Sequence, residues 1–240
     1  MQNQFDPRLT GGTAAVSVPR AARDVGLRSY MLSVYNYMTS GVLLTGIVAL
    51  LFAESGYAAQ VMATPLRWLI ILAPLGFVMA MSFGLNRMST GTLQALFWSF
   101  AVAMGLSMST IFLVYTGVSI AQTFFAVAAG FAGLSLWGYT TKKDLSGMGT
   151  FLIMGVVGLF IAMLVNLFLQ STAMHLAISA IGVLIFAGLT AYDTQRIKSM
   201  YDQVAGSEMM GKVVIMGALN LYLDFINMFM FLLSFMGNRE

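Results

Sequence analysis

Three charged side chains stand in or at the ends of otherwise apolar stretches: Arg87, Asp193 and Asp224. An ionised acid at the centre of a bilayer-spanning helix costs about 2.5–3.5 kcal/mol on insertion scales, so such acids face protein or water and mark ion or proton chemistry. Asp224 belongs to Asn220-Leu-Tyr-Leu-Asp224-Phe-Ile-Asn227, where Asn220, Asp224 and Asn227 fall at i, i+4 and i+7 on one helical face. A polar stripe on an apolar helix must point into a bundle, which puts this helix at the centre, lining a cavity. The preceding apolar run carries Thr190, Asp193 and Thr194 at its end. The two runs have opposite directions, so both acids can lie at similar depth. Two carboxylates about 4 Å apart repel by roughly 4 kcal/mol at an effective dielectric near 20, so the pair is expected to share one proton and titrate as a unit. That is a pH switch. The alternative is two unrelated interface acids. Glu54, Arg67 and His175 stand at run boundaries, where charges are cheap, and are set aside.

The elements that position these residues follow from composition. Of 240 residues, 59% are hydrophobic and 9% charged, against roughly 25% charged in globular chains. Mean hydropathy is +0.84, so a soluble fold is excluded and lipid is the solvent. Zero Cys excludes a disulfide scaffold, a thiolate metal site and a cysteine nucleophile. Residues 1–29 are polar and aperiodic and read as a flexible cytosolic tail; residues 30–238 form one membrane domain. The first apolar run, Met31 to Ala53, exceeds the ~7–15 residues of a signal-peptide core and is long enough to span a bilayer. Further runs at 67–86, 93–116, 119–140, 149–170, 172–194 and 214–236 make seven spans, joined by short connections that force antiparallel neighbours. The stretch between spans six and seven reads as a long connection with room for a short helix of its own. The 24 Gly and 20 Met fit close helix packing and gap filling.

Ten Lys and Arg fall on one side of this arrangement and only Arg67 and Arg239 on the other. That split places the N-terminus in the cytosol and the C-terminus outside, and explains the net charge of +3 without nucleic acid. Tyr192-Asp193 matches half of the intramembrane aspartyl protease signature. The other half requires Gly-x-Gly-Asp, whereas this chain has Leu221-Tyr222-Leu223-Asp224. A retinal protein needs a Lys inside the seventh run, and Lys212 precedes it. The chain is read as a non-enzyme.

Thr141-Lys-Lys-Asp-Leu-Ser146 after span four, Leu189-Thr-Ala-Tyr-Asp-Thr-Gln-Arg-Ile197 at the end of span six, and Ala218-Leu-Asn-Leu-Tyr-Leu-Asp-Phe-Ile-Asn227 in span seven resemble the Bax inhibitor family, the transmembrane Bax inhibitor motif proteins. The resemblance covers essentially all of residues 30–236. It implies an all-α integral membrane protein of seven transmembrane helices, the last central and wrapped by the other six. It also implies a pH-sensitive calcium leak with Asp193 and Asp224 as the paired aspartates and Arg87 as a latch; the alternative for Arg87 is a loop charge. A bacterial-type member is expected in the inner membrane. Calcium takes ~6–8 oxygen ligands, so Asp193 and Asp224 with Thr190, Asn220, Asn227 and water form a loose site, which suits an ion that must leave as readily as it enters. The expected partners are the bilayer, calcium and protons, and other membrane proteins, with no permanently bound cofactor. The second reading is a regulatory protein that modulates a quality-control protease or a stress pathway through its tail and loops.

Overall fold

With no water in the hydrocarbon to bond free peptide groups, a spanning segment must satisfy its backbone internally, and apolar runs of this length do so as helices. A computed structural model describes residues 20–238, which form nine helices: α1 (Arg20–Glu54), α2 (Tyr57–Met62), α3 (Leu66–Gly84), α4 (Thr90–Met108), α5 (Ile111–Val114), α6 (Gly117–Thr140), α7 (Ser146–Leu169), α8 (Thr172–Val204) and α9 (Met209–Met236). Seven are long and apolar enough to cross a membrane, counting α4 and α5 together as one span broken at Ser109 and Thr110. Short polar residues start several of them. Ser89, Thr116 and Ser171 accept from the backbone N–H of Thr92, Thr116's third neighbour Ser119, and Met174, at 3.1–3.3 Å.

The chain is an integral multi-pass membrane protein with a central last helix. In the most apolar window of α9, 72% of residues are buried, against 11% in α3 and in α7. α9 packs on α8, α1, α6 and α4, while α3 leans on α4 and α7 on α8. The wrap expected from six helices is therefore made directly by four, with α3 and α7 outside them.

Three boundaries differ from the sequence reading. α1 begins at Arg20, so residues 20–29 are helical rather than tail; residues 1–19 lie outside the described residues. α8 continues ten residues past Thr194, and α9 starts before residue 214. The long connection between spans six and seven is thus the turn 205–208, with Gly206 at φ 74°, and Lys212 lies inside α9. The cause is tertiary. Arg23 Nε donates to Asp202 Oδ1 at 2.7 Å with a second guanidinium bond to Oδ2, and the Tyr30 hydroxyl donates to Ile197 O at 3.3 Å. The Tyr30 and Tyr201 rings are 5.5 Å apart, and Gly26 leaves no room for a Cβ beside the Tyr201 hydroxyl. The extensions of α1 and α8 stabilise each other, which neither polar sequence does alone.

Candidate functional site

α8 and α9 run antiparallel and form the most extensive helix pair in the bundle. Gly138 of α6 approaches α8 so closely that a Cβ would strike the Ala191 backbone, which fixes the turn of α8 that carries Asp193. On the facing turn of α9 stands Asp224. Both acids are buried, at 9% and 4% exposure, and their carboxyl groups lie within hydrogen-bonding reach of each other. Asp224 Oδ2 is buried with no donor among the described residues. Two carboxylates in contact cannot satisfy each other as anions, because both are acceptors only. A single proton between them would let one carboxyl donate to the other.

The cation whose field reaches Asp193 is the exposed Arg196, one turn along α8. Arg87 is exposed just beyond the end of α3, and the ion pair found among the described residues is Arg23–Asp202. In this conformation Arg87 does not bridge to Asp193. Asn220 and Asn227 are half-buried on the least covered face of α9, beside Asp224, and Asn227 Nδ2 donates back to Leu223 O at 2.8 Å. Thr190 is buried, its hydroxyl donated to Phe186 O at 2.8 Å, so its lone pairs remain free to accept. Of the six residues predicted for the site, the two acids meet, the two asparagines flank them, Thr190 lies a turn away on α8, and Arg87 stands apart. Among the described residues there is no group of three or more His, Cys, Asp or Glu. Any cation here would depend on two acids and neutral oxygens.

Sequence reasoning missed the contacts around the pair. Thr194 Oγ1 shares a hydrogen bond of 2.9 Å with Ser135 Oγ, to which the Tyr35 hydroxyl donates at 3.3 Å, tying α8 through α6 to α1. Tyr222, fully buried two residues before Asp224, shares a 2.7 Å hydrogen bond with Thr45, and its ring packs against Phe97 and Phe100 at 6.4 and 5.0 Å. This aromatic cluster fills the middle of the bundle beside α9. A hydroxyl inside each of two apolar runs was the available signal, and pairing them across 177 residues needs the fold. Three helix ends are clamped by polar side chains from α8 and α9. Gln195 bonds both Lys143 O and Leu145 N, Lys198 donates to Tyr139 O at 2.6 Å, and Lys212 donates to Leu85 O at 3.2 Å. Asp144, in the same loop, accepts from Ser146, and those bonds hold its carboxyl below the usual range.

The fold and site together define a class: a multi-pass helical membrane protein whose central helix presents a buried acid to a second acid on its neighbour. The chain belongs to the Bax inhibitor family, matching the family described as inhibitor of apoptosis-promoting Bax1 over residues 27–240. Among its relatives, a Rickettsia prowazekii protein is 49% identical over 219 residues, covering 90% of this chain and 92% of the relative. Inner membrane protein YbhL of Escherichia coli is 45% identical over 226 residues, covering 92% and 95%. A Caulobacter vibrioides protein is 46% identical over 231 residues, covering 90% and 92%.

Proposed function

We propose that this protein is a pH-sensitive calcium leak of the bacterial inner membrane, gated by the Asp193–Asp224 pair. The observation that carries this reading is an acid on the central helix, in contact with a second acid and short of one hydrogen-bond donor. A shared proton lets one carboxyl donate to the other and holds α8 on α9. Loss of the proton leaves two anions whose repulsion is relieved by separation of the helices or by a divalent cation between them. The two carboxylates, the neighbouring Asn220 and Asn227, and the free lone pairs of Thr190 offer a calcium ion few ligands, as passage requires.

The basic end of the bundle, with Lys142, Lys143, Arg196, Lys198 and Lys212, faces the cytosol on this reading, with the N-terminus inside and the C-terminus outside. The name of the YbhL relative supports the membrane assigned. Arg87, at the same end, serves as a topology charge in the conformation described.

Purified full-length protein in liposomes loaded with a calcium reporter tests the proposal. The wild type should conduct, with a rate that changes between pH 6 and 8, and Asp193→Asn should conduct with that dependence largely gone. No flux from folded wild type would refute the leak and leave the regulatory reading. Calcium binding should also tighten as pH rises, because proton and metal compete for the same carboxylates. Affinity constant from pH 6 to 8 would remove the pair as the ion's site.

A further inference from the structure

α1 and α6 both pack on α9 but scarcely on each other. The cleft between them encloses about 770 Å³, within the ~300–1,000 Å³ of small-molecule sites. It is bounded along α1 from Arg28 to Leu43, and Phe225 of α9 contributes to its wall. At ~1.5 Å per residue this is about 22 Å, longer than the ~15 Å hydrocarbon depth of one leaflet. A second cavity of about 290 Å³ shares Val42, Phe124 and Phe225 with it and carries the cleft on to Gly117 at the start of α6.

The lining is graded. Arg28, Tyr35, Ser135 and Tyr139 lie toward one end, and Leu43, Phe124 and Phe225 toward the other. The guanidinium of Arg28 is exposed there, and among the described residues no Asp or Glu lines the cleft. Lys198 of α8 is not part of the lining but stands against its Tyr139, the ammonium 4.8 Å from that ring and bonded to that carbonyl. A polar, cationic mouth on a long apolar slot that opens sideways fits one kind of occupant.

We propose that this cleft is a binding site for an anionic phospholipid of the leaflet on the N-terminal side, with an acyl chain laid between α1 and α6 and the phosphate held by Arg28, the charge of Lys198 behind Tyr139 adding to the attraction. The site is separate from the aspartate pair and stands whether or not the protein conducts calcium. Its selectivity comes from charge. A basic side chain near an anionic lipid surface contributes enough to favour binding by about fivefold, so two of them separate an anionic from a zwitterionic headgroup clearly.

The test is native mass spectrometry of the full chain released from detergent after equilibration with phosphatidylglycerol or with phosphatidylcholine of identical chains. Phosphatidylglycerol should be retained at least fivefold better. Arg28→Gln should reduce that preference about fivefold, and Arg28→Glu should abolish it; both change an exposed side chain and spare the fold. Ala132→Phe, which fills the slot, should displace both lipids, whereas Ala129→Phe, exposed on α6 outside the slot, should displace neither. Equal retention of the two lipids, or a preference unchanged in Arg28→Glu, overturns the proposal. So does lipid retained by folded Ala132→Phe, or a protein dimer that excludes lipid from the cleft.

Discussion

The α8–α9 interface has a polar cluster toward each end, and the two are built on opposite terms. Toward the start of α8, Ser234 Oγ shares a 2.8 Å hydrogen bond with His175 Nε2, and Ser179 Oγ donates to Ser234 at 3.3 Å and lies 2.9 Å from His175 O. Donors and acceptors alternate there, in neutral groups, and each hydroxyl has a partner. Toward the other end, two acceptor-only carboxylates face each other and Asp224 Oδ2 has none. A satisfied network rigidifies an interface, whereas a half-satisfied one costs stability that an apolar or complementary side chain would recover. The contrast assigns structure to one cluster and switching to the other.

Substitutions at the two clusters should therefore move stability in opposite directions. Asp224→Asn supplies an N–H donor to Asp193 and removes a buried charge. It should stabilise the purified protein by about 1–3 kcal/mol in thermal or denaturant unfolding, while the pH dependence of flux collapses. Ser234→Ala leaves His175 Nε2 short of a partner, while Ser179 keeps the His175 carbonyl, and should destabilise by about 1 kcal/mol, with flux still responsive to pH. An Asp224→Asn protein less stable than wild type would mean that the pair holds the fold together, and the comparison would fail.

Much of this was legible in the sequence, for a reason specific to lipid. Seven apolar runs stand out because the bilayer demands them, and Asp193 and Asp224 stand out because the bilayer penalises them. The stripe Asn220-Asp224-Asn227 implied a central helix, and α9 is the most buried span, but only Asp224 of the three is turned into the bundle; Asn220 and Asn227 stand on the least covered face of α9. What could not be read were features held by contacts between distant polar groups. The first turns of α1 depend on Asp202 and Tyr201, and the end of α8 depends in turn on Arg23 and Tyr30. The carbonyls that receive Lys198 and Lys212 belong to the backbone, which carries no signature in residue type. His175 was passed over because a boundary position does not reveal a serine 59 residues later. Arg87 stands out by its place at the end of span two and by the family resemblance, and neither says which partner it has in a given conformation.

The pair that joins the ends of α1 and α8 sharpens the comparison at its weak limit. Arg23 and Asp202 have good bidentate geometry, yet their side chains are 48% and 50% exposed, so water screens them. Arg23→Gln should lower the unfolding temperature only slightly, and by less as salt is raised, because exposed pairs lose their Coulomb attraction to screening.

Arg87 gives the smallest effect. Its side chain is exposed and its nearest helix end, at Leu85, is already bonded by Lys212. Arg87→Ala should thus change stability by less than about 0.5 kcal/mol, as surface substitutions away from specific contacts do. Its effect on flux discriminates further. A residue that holds the closed state through Asp193 would raise flux when removed, and would do so no further in an Asp193→Asn background, because both changes break one contact. A topology charge would leave flux unchanged in both backgrounds. The exposed position predicts the second result, measured in liposomes at matched protein amounts. Flux that rises in Arg87→Ala but no further when the same change is made in Asp193→Asn would show that Arg87 reaches Asp193 in a conformation other than this one.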